Sequence, residues 1–170
     1  KISPENISVQ KEAVKLNLYE KRKLICSIGA GIKDNQYLVG VEKGTLLPIT
    51  ITRELKTIEN EQVACKSIIY YGDKEFANQN KQMPNKGING LAGGVVIRGL
   101  PKLPAGEARM KMIFTIDLYA KLQVKFYSLD NGRTDFYRVD VKNLVENEEL
   151  ESEKLNPEEV ILNENEDLNF

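Results

Sequence analysis

Between Arg109 and Asp117 apolar and polar residues change places at every step. Met110, Met112, Phe114 and Ile116 fall on one side, and Arg109, Lys111, Thr115 and Asp117 on the other. Ile113 is the one break. A period of two is the mark of a half-buried β-strand, because successive side chains point to opposite faces of the pleat. Apolar or alternating runs of the same kind predict further strands near 24–29, 36–42, 48–55, 62–71, 95–98, 107–117, 120–128 and 134–141. Their spacing and the scarcity of helical periods predict an all-β chain folded as an antiparallel β-sandwich. Asp130-Asn131-Gly132 is a hairpin turn, since Asn and Gly tolerate positive φ. The stretch KQMPNKGINGLAGG, with one Pro and Gly87, Gly90, Gly93 and Gly94, reads as a long exposed loop.

Three zones follow. Residues 1–22 are a polar linker or extension with one alternating run, in which Val14, Leu16 and Leu18 share a side. Residues 23–142 form the sandwich. Residues 143–170 are an acidic segment carrying a short C-terminal helix or remaining a tail. In it Asn156 caps a helix, Pro157 takes the first helical position, Glu159 completes a capping box, and Leu155 and Val160 staple across it.

Composition narrows the function. The 170 residues are 41% hydrophobic and 29% charged, which fits a folded chain. A formal net charge of −1 argues against a general nucleic-acid binder, which needs a concentrated excess of cations. No apolar run approaches bilayer length and residues 1–12 are polar, so neither a membrane span nor a signal peptide is expected. A cytoplasmic location is the expectation, although an excised or processed segment would read the same way. The chain has no histidine, which excludes triads built on a histidine base. With only Cys26 and Cys65 besides, transition-metal sites lack their usual ligands. Both thiols lie in apolar runs and read as buried packing groups.

No motif supplies chemistry. Gly29 and Gly31 of SIGAGI lack the third glycine and the following helix of a dinucleotide fingerprint, and LAGG is not followed by Lys-Ser or Lys-Thr. The carboxylates of ENEELESE have no calcium-loop spacing and read as a solvated face. Arg109, Lys111, Lys121 and Lys125 read as the wet side of a sheet. The chain is therefore expected not to be an enzyme. A sheet protein of this kind binds by shape and main-chain hydrogen bonds, and an extended peptide is its natural ligand.

The runs CSIGAGI, LLPITITRELKTIENEQVACKSIIYYG and GLPKLPAGEARMKMIFTIDLYAKLQV resemble, in order and spacing, the substrate-binding β-domain of the seventy-kilodalton heat-shock chaperones, the DnaK type. The resemblance covers about 24–141 and is ungapped from Cys26 to Gly72. CSIG stands for the family's Leu-Ser-Leu-Gly, LLP for its Ile-Pro strand opening, ENEQ for its acidic-Asn-Gln turn and FTID for its Phe-Asp-Ile-Asp. The Pro/Gly-rich loop at 84–94 departs as an insertion.

The resemblance implies a channel between two loops that threads an extended apolar peptide. Its first loop maps to Ala30, Ile32 and Lys33, its second to Leu55, Lys56, Thr57 and Ile58, its floor to Cys65 and Ser67, and one wall to Met110. Main-chain groups near 32, 56 and 58 would bond the peptide. It also implies partners: unfolded polypeptides, the chaperone's ATPase domain and co-chaperones. ATP would be bound only by that further domain, with no cofactor in this chain. Three departures bear on the site. Ser67 replaces an aliphatic floor residue, and Lys33 an apolar arch residue, so its charged end must snorkel out. Asn60 and Ala105 replace an acidic–Arg latch, so that ion pair cannot form. These departures motivate the alternative, a degenerate sandwich that docks one defined folded partner as a scaffold or co-chaperone-like protein.

Overall fold

The alternation of the sequence becomes two facing layers of strands in the computed structural model, which describes residues 22–147, 157–158 and 160–162. The strands are β1 (Arg22–Leu24), β2 (Ile28–Ile32), β3 (Gln36–Val41), β4 (Ile49–Lys56), β5 (Ala64–Tyr71), β6 (Lys81–Gln82), β7 (Gly94–Arg98), β8 (Arg109–Ile116), β9 (Lys121–Ser128), β10 (Thr134–Asp140) and β11 (Val145–Asn147). One sheet runs β10-β9-β8-β4. The other runs β3-β2-β5, with β7 and β6 pairing successive halves of the free edge of β5. β1 and β11 form a separate antiparallel clasp. All these pairings are antiparallel, so the chain is an all-β antiparallel sandwich.

The core is the inward parity of each strand. Met110, Met112, Phe114 and Ile116 of β8 meet Leu122, Val124 and Phe126 of β9 and Tyr137 and Val139 of β10, all fully buried. Ile28, Ala30, Ile69, Val95 and Ile97 close it from the other sheet. Each large side chain so buried contributes about 1.5–3 kcal/mol. Gly40 lets the sheets come close: a Cβ there would stand 2.4 Å from the Phe114 ring.

Two side chains tie the layers at their edges. Arg53 of β4 donates from Nε to the Val39 carbonyl of β3 at 3.1 Å. On the far side, the fully buried Asp135 of β10 accepts from the Val96 N–H of β7 at 2.8 Å and from the Asn89 N–H at 2.9 Å.

Three expectations change. The first strand, expected at 24–29, is split: Arg22–Leu24 pairs with β11, residues 25–27 bend, and β2 begins at Ile28. The bend is held by the Ser27 N–H donating to Asp73 at 2.9 Å, a contact that apolarity does not encode. The Pro/Gly-rich stretch is not a freely exposed loop. Met83 is buried in the core, and the Ile88 N–H donates to the Phe136 carbonyl, so the segment is laced onto β10. The expected helix does not start at Pro157: Pro157 and Glu158 form a turn and 160–162 have no regular structure. Asn156 and Glu159, the expected cap, and Leu155 lie outside the described residues. Instead Leu162 enters the core, and Tyr71 Oη donates to the Val160 carbonyl at 3.2 Å. Arg109, Lys111, Lys121 and Lys125 do take the outward parity, where Lys121 pairs with Asp140 at 2.8 Å and Lys125 lies 5.1 Å from the Tyr127 ring centre.

Candidate functional site

β2 and β4 run toward the same end of the sandwich. The Arg53–Val39 bond fixes the level of β4 against β3; Lys56 lies three residues after Arg53 and Gln36 three residues before Val39. The turn after β2 and the loop after β4 therefore lie at the same end of the sandwich. β5 starts at this end as well, because Ala30 pairs antiparallel with Ile69 and the Ser67 hydroxyl reaches the Gly31 carbonyl. Ile32, Lys33, Lys56, Thr57, Ile58, Cys65 and Ser67 thus come to one end of the molecule. Met110 lies just beneath, paired in register with Leu55.

Ala30 and Ile32 belong to strand β2 rather than to a loop. Lys33 opens a single 3₁₀ turn, Lys33–Asn35, in which Asp34 and Asn35 both have φ of 59°. Asp and Asn tolerate that left-handed region better than most residues. Leu55 and Lys56 end β4, with Leu55 half-buried and Lys56 exposed. Ile58 is 49% exposed. Thr57 is buried, and its carbonyl accepts the Gly106 N–H at 2.8 Å while its own N–H donates to Ala108 at 2.9 Å. Ala30 and Met110 are fully enclosed in the core, so neither presents surface to a ligand in this conformation.

Gln62 ties the second loop. Its Oε1 accepts the Ile58 N–H at 3.0 Å and the Glu59 N–H at 3.3 Å, and its Nε2 donates to the Ala64 carbonyl at 2.9 Å. The Ile58 N–H is thereby occupied within the chain. Asn60 and Ala105 also meet, through the Ala105 N–H donating to Asn60 Oδ1 at 2.9 Å. A neutral hydrogen bond stands where the resemblance implied an ion pair.

The floor is polar at one point and satisfied there. Ser67 donates its hydroxyl to the Gly31 carbonyl at 3.0 Å. Beside it the half-buried Cys65 thiol is pushed up to about 11 by burial. A thiol so protonated at neutral pH packs as a small hydrophobe and is a poor nucleophile. The site therefore offers half-buried Ile32, Leu55 and Cys65, an exposed Ile58 and two exposed lysines.

Two clefts lie elsewhere. One of about 480 Å³ sits at the opposite end, between Tyr71, Lys74, Lys81 and Glu158. The other, about 460 Å³, lies outside the second loop, between Asn60 and Pro104. The contacts that sequence reasoning missed are the Gln62 knot and the Asp135 tie. For Asp135 there was one signal: a carboxylate on the inward parity of β10.

Fold and site together define an antiparallel β-sandwich with a turn and a loop at one end. Comparison gives this shape a relation. The chain is similar to the chaperone protein DnaK of two strains of Halobacterium salinarum (ATCC 29341 / DSM 671 / R1 and ATCC 700922 / JCM 11081 / NRC-1), at 24% identity over 109 residues. That stretch is 64% of this chain and 16% of each relative, so the match spans about a sixth of their length. No family model matches. Among the described residues no helix is long and apolar enough to cross a membrane.

Proposed function

We propose that the chain binds extended, apolar segments of unfolded polypeptides, as the substrate-binding part of a heat-shock-type chaperone. The observation that carries this reading is that the 33–35 turn, the 57–63 loop and the start of β5 come to one end of the sandwich, where Ile32, Leu55, Ile58 and Cys65 lie. The likeness to DnaK chaperones supports it. A peptide laid between the two walls would bury aliphatic side chains against this surface, each adding roughly 1.5–3 kcal/mol. Lys33 and Lys56 would keep their charged ends in water beside it. Control of release by an ATP-hydrolysing domain, and contact with co-chaperones, belong to this proposal as properties of a larger protein.

Titration of a labelled, extended apolar peptide tests it. The control is Ile58→Asp, which places a charge on an exposed position and leaves the core intact. Met110→Arg is no control, because Met110 is enclosed in the core and the variant would unfold. Saturable binding that Ile58→Asp abolishes supports the reading; equal binding by both, or by neither, defeats it.

A second reading has its own observation. Ala30 and Met110 are sealed and the Ile58 N–H is already bonded, which suits a surface that docks one folded partner by shape. Recovery of a single stoichiometric partner that apolar peptides do not displace would favour it.

A further inference from the structure

The 33–35 turn is clasped from outside the sheet. Asn35 Nδ2 donates to Asn78 Oδ1 at 2.7 Å, and the Asn78 N–H donates back to Asn35 Oδ1 at 2.9 Å. Asn78 belongs to a segment that is knit to itself before it reaches the turn. The Asn80 side chain accepts from the Lys74 N–H at 2.9 Å and donates to the carbonyls of Lys74 at 3.2 Å and Phe76 at 3.0 Å. Gln79 Oε1 accepts the Phe76 N–H at 3.0 Å. The segment is also seated on the sheet: Phe76 bridges Gln36, and Ala77 is buried against Gly31, where a Cβ would meet the Ala77 Cβ at 3.5 Å. The clasp therefore joins a firm support to a turn in which two consecutive non-glycine residues hold φ of 59°. Backbone in that region persists only where its surroundings hold it.

We infer that Asn78 is a positioning residue for the peptide cleft: it holds the 33–35 turn, and Lys33 with it, as a fixed wall. The inference rests on the peptide-binding reading and deepens it. A wall that is held relaxes rarely, and a threaded peptide leaves only when the wall relaxes. Removing the Asn78 carboxamide frees the turn and speeds release.

The test is the dissociation rate of a labelled apolar peptide from the full chain and its variants. Asn78→Ala is expected to speed dissociation about three- to tenfold, the range of one such hydrogen bond, with little change in thermal midpoint because both amides are exposed. Asn78→Asp keeps the Oδ1 acceptor and is expected to stay within about twofold of the parent. Asn35→Gly tolerates the positive φ but removes both bonds of the clasp, because the Asn78 N–H loses its acceptor as well, so it should speed release at least as much as Asn78→Ala, and the double variant should match Asn35→Gly alone. An unchanged rate in Asn78→Ala, an additive double variant, or acceleration that tracks a general loss of stability overturns the inference. If the parent binds no peptide at all, the peptide reading fails first and the positioning role falls with it.

Discussion

The hydroxyl of Ser67 donates to the carbonyl of Gly31 at 3.0 Å, closing the gap where pairing between β2 and β5 ends at Ala30 and Ile69. The serine that looked out of place on an aliphatic floor therefore completes the sheet. Ser67→Ala removes the donor to the half-buried Gly31 carbonyl, which costs about 0.5–1.5 kcal/mol. Denaturant titration should show that loss, and Ser67→Thr, which keeps the hydroxyl, should lose less.

Asp135 is a single side chain holding two layers together. It is fully buried and satisfied by the N–H groups of Val96, Asn89 and Phe136. Asp135→Ala strands these donors between β7 and β10. The expected cost is about 3–5 kcal/mol, as for other broken buried charge networks. Faster hydrogen exchange at Asn89 and Val96 should accompany it.

Gly40 is required by Phe114. Gly40→Ala would drive a methyl to 2.4 Å from the ring, and overpacking of this kind costs about 1–3 kcal/mol. Phe114→Leu creates a void of its own, so the double variant Gly40→Ala/Phe114→Leu should be more stable than the two single losses predict. A double-mutant cycle on unfolding free energies measures the coupling.

Alkaline pH should weaken the fold through Cys26. Burial, chiefly, and the nearby Asp73 push its thiol from 9.0 to about 12. Between those values the unfolded chain has lost the proton and the folded chain keeps it. The folded state then binds more protons, so stability is complete below about pH 9 and falls as pH rises, by at most about 1.4 kcal/mol per unit from this group. Tyr37, raised mainly by burial, adds to the decline above pH 10. Denaturant midpoints at pH 8, 9 and 10 should show a shallower slope for Cys26→Ala than for the parent.

The strands were legible because burial imposes a period of two that needs no knowledge of partners. β8 and β9 fall within two residues of their expected bounds for that reason. The bend at 25–27 was not legible, because it is set by Asp73, 46 residues away from Ser27. The Pro/Gly-rich stretch misled for a related reason. Its glycines do mark irregular backbone, but Asp135 and the Phe136 carbonyl turn that backbone into a packed edge. That most of the candidate site residues come to one end of the sandwich follows from strand order and register, which no local pattern encodes. The resemblance named Ala30 and Met110, whereas the packing of two sheets sealed both.

What the sequence determined by itself is the alternation, hence the strands, their inward faces and the antiparallel layers. These follow from local stereochemistry and the tendency of apolar side chains to leave water, and each residue carries its own share. What the tertiary structure decided is which segments share an end: the 33–35 turn and the 57–63 loop, Asn78 behind the first and Gln62 within the second. The Asn78 and Gln62 contacts are directional bonds between polar groups, the first spanning 43 residues, and no local pattern of apolar and polar positions encodes such a pairing.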